Sequence, residues 1–263
     1  MTAVITDTSS PGISPARVPS AVHSSSWRGL IVQPIAILVV LAGFVVWLNV
    51  APITATERTT LAPDALWAAT LQHLSLTFVS AAIVLAIAIP LGVLLTRPRF
   101  RRLGLPILAI ANFGQAAPAI GLVVLLAIFI TSGYWASILA LVLYAALPVL
   151  RNTMIGVRGV DERLVEAGRG MGMSAVAVLF RIELPLAVPV MLAGIRTALV
   201  LLVGTAALAA FVNGGGLGIL IVTGVNLYLY SVLVSGALLI ALLALAIDWL
   251  GRIVEQVARP KGL

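Results

Sequence analysis

The sequence predicts an all-α integral membrane protein with about six transmembrane helices. Composition is the first reason. Hydrophobic residues make up 61% of the chain and charged residues 10%, whereas an ordinary soluble domain is about 25% charged. Too few charges remain to cover a soluble globule of this size, and the mean hydropathy is +1.16. The second reason is distribution: the apolar residues gather into stretches long enough to cross a bilayer, which takes about 20 residues at ~1.5 Å each. The third is that arginines cluster between those stretches. The same composition excludes a disordered chain. With no cysteine, a disulfide framework and a thiolate metal site are excluded too, and only His23 and His73 are present to build a histidine metal centre, so none is expected. Only one of the 16 basic residues is a lysine, Lys261, and Gly262 follows it. No G-x-x-x-x-G-K-[ST] phosphate loop exists, so the chain is not a self-sufficient ATPase of that type. The net charge of +7 fits basic loops on one side of a membrane, not nucleic acid.

Residues 1–27 are rich in Ser, Pro and Thr and read as a flexible cytoplasmic tail. Residues 30–48, interrupted by Gln33, form the first span. They exceed the ~7–15 residues of a signal-peptide core, and Ile53-Thr54-Ala55 is a poor cleavage site, so a retained span is expected. Residues 49–71 carry Glu57, Arg58 and Asp64 and read as an external loop. Residues 74–95 are the charge-free second span, with Ser75, Thr77 and Ser80 small enough for close helix contacts. Arg97, Arg99, Arg101 and Arg102 follow. Residues 103–130 are again charge-free, but a straight helix of that length reaches roughly 42 Å, too long for a ~30 Å core. Gly114 and Pro118 mark the expected tilt or break. Residues 134–150 are the fourth span, with Tyr134 and Trp135 as interface anchors.

Residues 151–185 are the one extended polar region. No charge appears from 197 to 247. The remaining spans fall at about 186–212 and 231–250, separated by Asn213-Gly214-Gly215-Gly216. Residues 218–229 read as a short interfacial or re-entrant segment. Six spans put both termini on one side. Placing that side in the cytoplasm puts the 97–102 arginines, the 151–185 loop and Arg252, Arg259 and Lys261 inside, as the positive-inside rule requires. The expectation is a multi-pass protein of the cell membrane with cytoplasmic termini.

Within the polar region, Asp161 is placed to cap a short helix, with Glu162 in its first turn. Gly168, Gly170 and Gly172 end that helix and permit a sharp turn. Ser174 caps a second short helix running to Arg181, and Pro185 opens the fifth span. Read from composition alone, this region is equally well a solvated loop with satisfied charges.

The spacing here resembles a known pattern. Glu166-Ala167-Gly168, three residues, Gly172, nine residues, then Ile182-Glu183-Leu184-Pro185 is similar to the EAA motif of ABC importer permeases: E-A-A, three residues, G, nine residues, I-x-L-P. Gly168 stands where the second alanine is usual, a change worth about 1 kcal/mol of helix stability, which loosens the motif. A finer resemblance, to osmoprotectant importer permeases for glycine betaine, choline, carnitine or proline, rests on four stretches at 170–173, 183–186, 193–198 and 215–218, and on Thr70-Leu71-Gln72-His73-Leu74. The resemblance implies a type I importer transmembrane domain over residues 68–249. Residues 28–67 supply a preceding helix and external loop, and 250–263 a cytoplasmic tail. It implies coupling helices in which Glu166, Ala167, Gly168, Arg169, Gly172, Ile182, Leu184 and Pro185 meet a separate nucleotide-binding ATPase subunit. That subunit would bind ATP and Mg; no cofactor is expected in this chain. It further implies a second permease, identical or related, and an extracytoplasmic substrate-binding protein. An amino acid is an alternative substrate.

Other candidates leave two readings each. Asn112 and Gln115, beside Pro118 and near mid-span, line a translocation path or make interhelical hydrogen bonds. Arg196 is a functional ionisable group on that path or snorkels to the interface. The glycines at 214–218 stop a helix or form part of an outer gate. Asp248 and Arg252 read as a structural i,i+4 pair. The competing function, an ion-coupled secondary carrier, ordinarily needs ionisable groups at mid-membrane, and Arg196 is the only one here.

Overall fold

The computed structural model describes residues 27–258. The expected tail up to residue 26 lies outside them, as do Arg259 and Lys261. All described elements are helical or turns. Five helical stretches are long and apolar enough to cross a bilayer. They are α1 (Trp27–Val50), α3 (Pro63–Thr96), α6 (Gly133–Arg158), the run Ala175–Val212 that contains α8 (Ala175–Val178) and α9 (Leu184–Ala206), and α11 (Tyr230–Ala258). A sixth exists only as a bent pair, α4 (Gly104–Ala116) and α5 (Ala119–Phe129), turned by 99°. The expected break in 103–130 falls at Ala117–Pro118. A residue before proline is pushed out of the helical region, and Ala117 sits at φ −62°, ψ 144°.

Two expected boundaries move. Much of the external loop at 49–71 is helix: α2 (Ala55–Thr60), then α3 starting at Pro63. Local chemistry explains both starts. Thr54 and Glu57 form a reciprocal capping box on α2, and α3 opens with proline at its first position and Asp64 in its first turn. The fifth span begins earlier than 186, because the second helix of the polar loop does not end at Arg181. It runs through a π turn (Leu179–Glu183) straight into α9. Leu184 N–H reaches back five residues to Leu179 O. The widened turn sits where Pro185 offers no donor and its ring would crowd the preceding carbonyl. The expected domain limits at 68 and 249 fall inside α3 and α11.

α6 is the hub, packed on α3, α4, α5 and α9. Leu76, Val84, Leu95, Leu141, Leu150 and Leu202 meet in its core. Backbones approach closely where glycines allow it: a Cβ on Gly92 would lie 2.8 Å from Thr153, and one on Gly194 would lie 2.8 Å from Pro148 O. α10 (Gly218–Asn226) is too short to cross and folds against α11 as a hairpin, with Gly224 against Leu233. α1 leans on α11, where Trp249 Nε1 donates to Leu30 O at 2.8 Å and Gln33 Nε2 to Leu245 O at 3.0 Å.

The bundle has two distinct ends. At the basic end, Arg158 donates to Leu95 O at 3.1 Å, joining α6 to α3 beside the 97–102 arginines. At the far end, the turn at 213–217 is tied to α3, and α3 in turn to α9. Gly216 N donates to Gln72 Oε1 at 3.2 Å, and buried His73 donates from Nε2 to Val203 O at 2.9 Å. Two of the stretches singled out in the sequence, 70–74 and 215–218, thus meet in space. Asn213, Gly215 and Gly216 all adopt positive φ there.

Candidate functional site

The polar loop at the basic end folds into two short helices around one glycine. α7 (Glu162–Gly170) starts as expected, with Asp161 Oδ1 accepting from Arg163 N at 2.9 Å. Its other end is a Schellman turn. Gly172 N donates to Arg169 O at 2.9 Å, Met173 N donates to Gly168 O at 3.1 Å, and Gly172 takes φ +82°. Ser174 Oγ then accepts from Ala177 N at 3.2 Å and caps α8.

Gly168 corrects one expectation. It does not end α7, which runs on to Gly170. It is buried inside the helix, and a Cβ there would lie 2.5 Å from Ile182 Cδ1. The glycine lets α7 lie against the π turn, so two halves of the motif, Gly168 and Ile182, touch. Ala167, Glu166 and Arg169 stay exposed on the other side of α7, and Glu166 and Arg169 have no ion pair among the described residues. Leu184 is half-buried and Pro185 exposed at the start of α9.

An anchor escaped the sequence reading. Arg97, at the end of α3, grips Glu183 with both arms of its guanidinium, Nη1 lying 3.2 Å from Oε1 and Nη2 pairing with Oε2. Glu183 is buried within the π turn. Bidentate pairs of this kind are directional as well as strong. The loop is therefore tied to α3 as well as continuing into α9. Leu164, Met171, Val176 and Phe180 form an exposed apolar set in the same loop. Met171, Val176 and Phe180 were missed, although the i,i+4 spacing of Val176 and Phe180 hinted at a face. Charged arms beside exposed apolar side chains are what a protein partner docks on.

Elsewhere the candidates separate. Asn112 is exposed and Gln115 half-buried on α4, ahead of the 99° bend, and Pro118 is the residue preceding α5. Neither amide makes an interhelical hydrogen bond among the described residues. Arg196 is far from alone: Nη1 is 2.9 Å from Glu255 Oε2 and Nε is 3.4 Å from Asp248 Oδ1. Asp248 also takes Arg252 Nε at 2.9 Å, the pair expected from spacing, and Gln33 Nε2 at 3.4 Å. These groups join α1, α9 and α11. Gly251 makes room for the arginine stem, since a Cβ there would lie 2.8 Å from Arg196 Cγ.

Comparison with known proteins adds the following. The family described as "Binding-protein-dependent transport system inner membrane component" matches residues 88–260. The choline transport system permease protein OpuBB of Bacillus subtilis (strain 168) is 38% identical over 194 residues, covering 74% of this chain and 88% of that protein. The osmoprotectant import permease protein OsmW of Salmonella typhimurium (strain LT2) is 38% identical over 199 residues, covering 74% of this chain and 92% of that protein. Among solved structures, an inward-facing MetNI methionine ABC transporter superposes with a TM-score of 0.66. The two are 26% identical, and the match covers 76% of this chain and 100% of that one.

Proposed function

Because the chain belongs to the binding-protein-dependent inner membrane transport components, as a permease subunit of an ABC importer with the type I transmembrane fold, we propose that it moves a compatible solute of the glycine betaine, choline, carnitine or proline kind. The names of its relatives, choline and osmoprotectant permeases at 38% identity, support that substrate class.

In this reading the 161–185 loop docks on a separate nucleotide-binding ATPase subunit, which holds ATP and Mg. The observation that carries it is the exposed face of α7, held on a Schellman turn and tied to α3 by Arg97 and Glu183. A push on α7 passes through Gly168 and Ile182 into the π turn, and from there along two rigid routes, α9 and α3. Glu166 and Arg169 supply charges for the partner surface. Asn112, Gln115 and Pro118, at the bend, line the path. Arg196 is assigned to the ion-pair cluster at the basic end. A second permease, identical or related, completes the pathway, and an extracytoplasmic binding protein delivers the solute. The basic end faces the cytoplasm, because the opposite orientation would translocate the 97–102 arginines and the whole polar loop.

The test is reconstitution. The full chain is purified from membranes with its accompanying subunits, which mass spectrometry identifies, and placed in proteoliposomes with the binding protein. ATP-dependent uptake of labelled choline or glycine betaine is expected, with none by this chain alone. Uptake driven by an ion gradient through the chain alone overturns the assignment. ATP-driven uptake of methionine without any quaternary ammonium compound overturns the substrate class only.

A further inference from the structure

A cavity of about 580 Å³ opens between α1, α2 and α3, away from the coupling loop. All but one of its lining residues precede residue 88, where the family match begins. Its size lies within the roughly 300–1,000 Å³ of small-molecule sites. The wall is apolar, with Phe44, Leu48, Leu61 and Leu66 prominent. One lining residue is charged, Arg58, and it is exposed, with no ion-pair partner among the described residues. Neither neighbouring acid forms an ion pair with it. Glu57 is buried and turned into its capping box, Oε2 lying 2.8 Å from Thr54 N and 2.9 Å from Thr54 Oγ1. Asp64 does not line the cavity. The other polar lining groups are engaged locally: Asn49 Nδ2 donates to Val45 O at 2.7 Å and Thr70 Oγ1 to Leu66 O at 2.7 Å.

Two exposed tryptophans, Trp47 and Trp67, flank this region, and Trp67 is itself part of the lining. Indole rings settle at the headgroup level of a bilayer, which puts Arg58 at phosphate depth and the apolar wall at acyl depth. We propose that the cavity binds an anionic phospholipid, with an acyl chain against Phe44, Leu48 and Leu66 and the phosphate on Arg58. A guanidinium beside an apolar slot matches both halves of that molecule: it forks onto phosphate oxygens, and its unpaired charge favours a headgroup with net negative charge over a zwitterionic one.

The probe is brominated lipid, which quenches tryptophan on contact. The full chain is reconstituted in phosphatidylcholine vesicles and titrated with brominated phosphatidylglycerol, or in parallel with brominated phosphatidylcholine. The signal read is the part of the quenching that Trp67→Phe removes. Phosphatidylglycerol should reach half-quenching at about five-fold lower mole fraction, the preference one arginine gives toward an anionic lipid surface. Arg58→Gln should abolish the preference and Arg58→Lys retain it, with emission from the other tryptophans unchanged as the check on folding. Equal quenching by both lipids, a preference that survives Arg58→Gln, or a Trp67 signal that neither lipid quenches would each overturn the proposal.

Discussion

Gly172 sets the angle between α7 and α8, and its surroundings isolate the cause. Nothing lies within 4 Å of a Cβ built on it, so a side chain meets no obstacle except its own backbone at φ +82°. A residue with a Cβ disfavours that conformation by about 1–2 kcal/mol. Gly172→Ala and Gly172→Val should therefore both cut ATP-driven uptake several-fold while membrane insertion stays normal, and Gly172→Asn should retain more, since asparagine tolerates the left-handed region. Normal uptake and normal ATPase stimulation in Gly172→Val would reduce the 161–185 region to a solvated loop. Glu57 makes a different residue-scale case. Its pKa is held below the ordinary glutamate value by the Thr54 backbone N–H first, then by the Thr54 hydroxyl and by Ser231, against opposing desolvation. A lowered folded pKa means the capping box stabilises α2 above the unfolded value, about 4.3, and that contribution fades as pH falls through the folded one. Thermal midpoints of wild type and Glu57→Gln should differ near neutral pH and converge in acid; a constant gap down to pH 2 would contradict this.

At the scale of elements, the Arg97–Glu183 fork ties the 161–185 loop to α3 as well as to α9. The Glu183 side chain is 7% exposed and that of Arg97 30%, so removing the arginine leaves a nearly buried carboxylate unpaired, at a cost of about 1–3 kcal/mol. The π turn continues into α9 regardless, so α7 should still dock. Arg97→Ala should then lower solute moved per ATP hydrolysed, by roughly two- to ten-fold, more than it lowers subunit copurification. The exchange Arg97→Glu with Glu183→Arg should recover part of the loss. An unchanged transport-to-hydrolysis ratio in Arg97→Ala would assign the pair a stabilising role alone. The ion-pair cluster at Asp248 works at the same scale. It gives three helices, α1, α9 and α11, one shared carboxylate, which is why a glutamine is tolerated within an otherwise apolar first span.

For the whole molecule, the arrangement of charge predicts orientation. The arginines at 97–102, the 161–185 loop and the Asp248 cluster share one end, and Asp64 opens α3 at the other. Because the chain has no cysteine, single cysteines report without background. An impermeant maleimide should label a cysteine at 64 in intact cells and one at 99 only after permeabilisation. Labelling of position 99 in intact cells would reverse the map.

Features that depend on near neighbours along the chain are legible in composition and spacing. Hydropathy located the spans, proline chemistry the break at 117–118, side-chain capping the starts at Asp161 and Ser174, and the need for positive φ the turn at Gly172. A span is set within one run of about 20 residues and the others within one or two helical turns, so composition and spacing suffice to read them. The tertiary structure alone decided the rest: the 99° bend, the meeting of Gly168 with Ile182, the grip of Arg97 on Glu183, the acidic partners of Arg196, and the clamp of Gln72 on the glycine turn. Those partners are up to 144 residues apart. Which side chains meet at such separations depends on how whole helices cross and slide against one another, and that is fixed by packing summed over many small residues, with no local signal at the positions that finally touch.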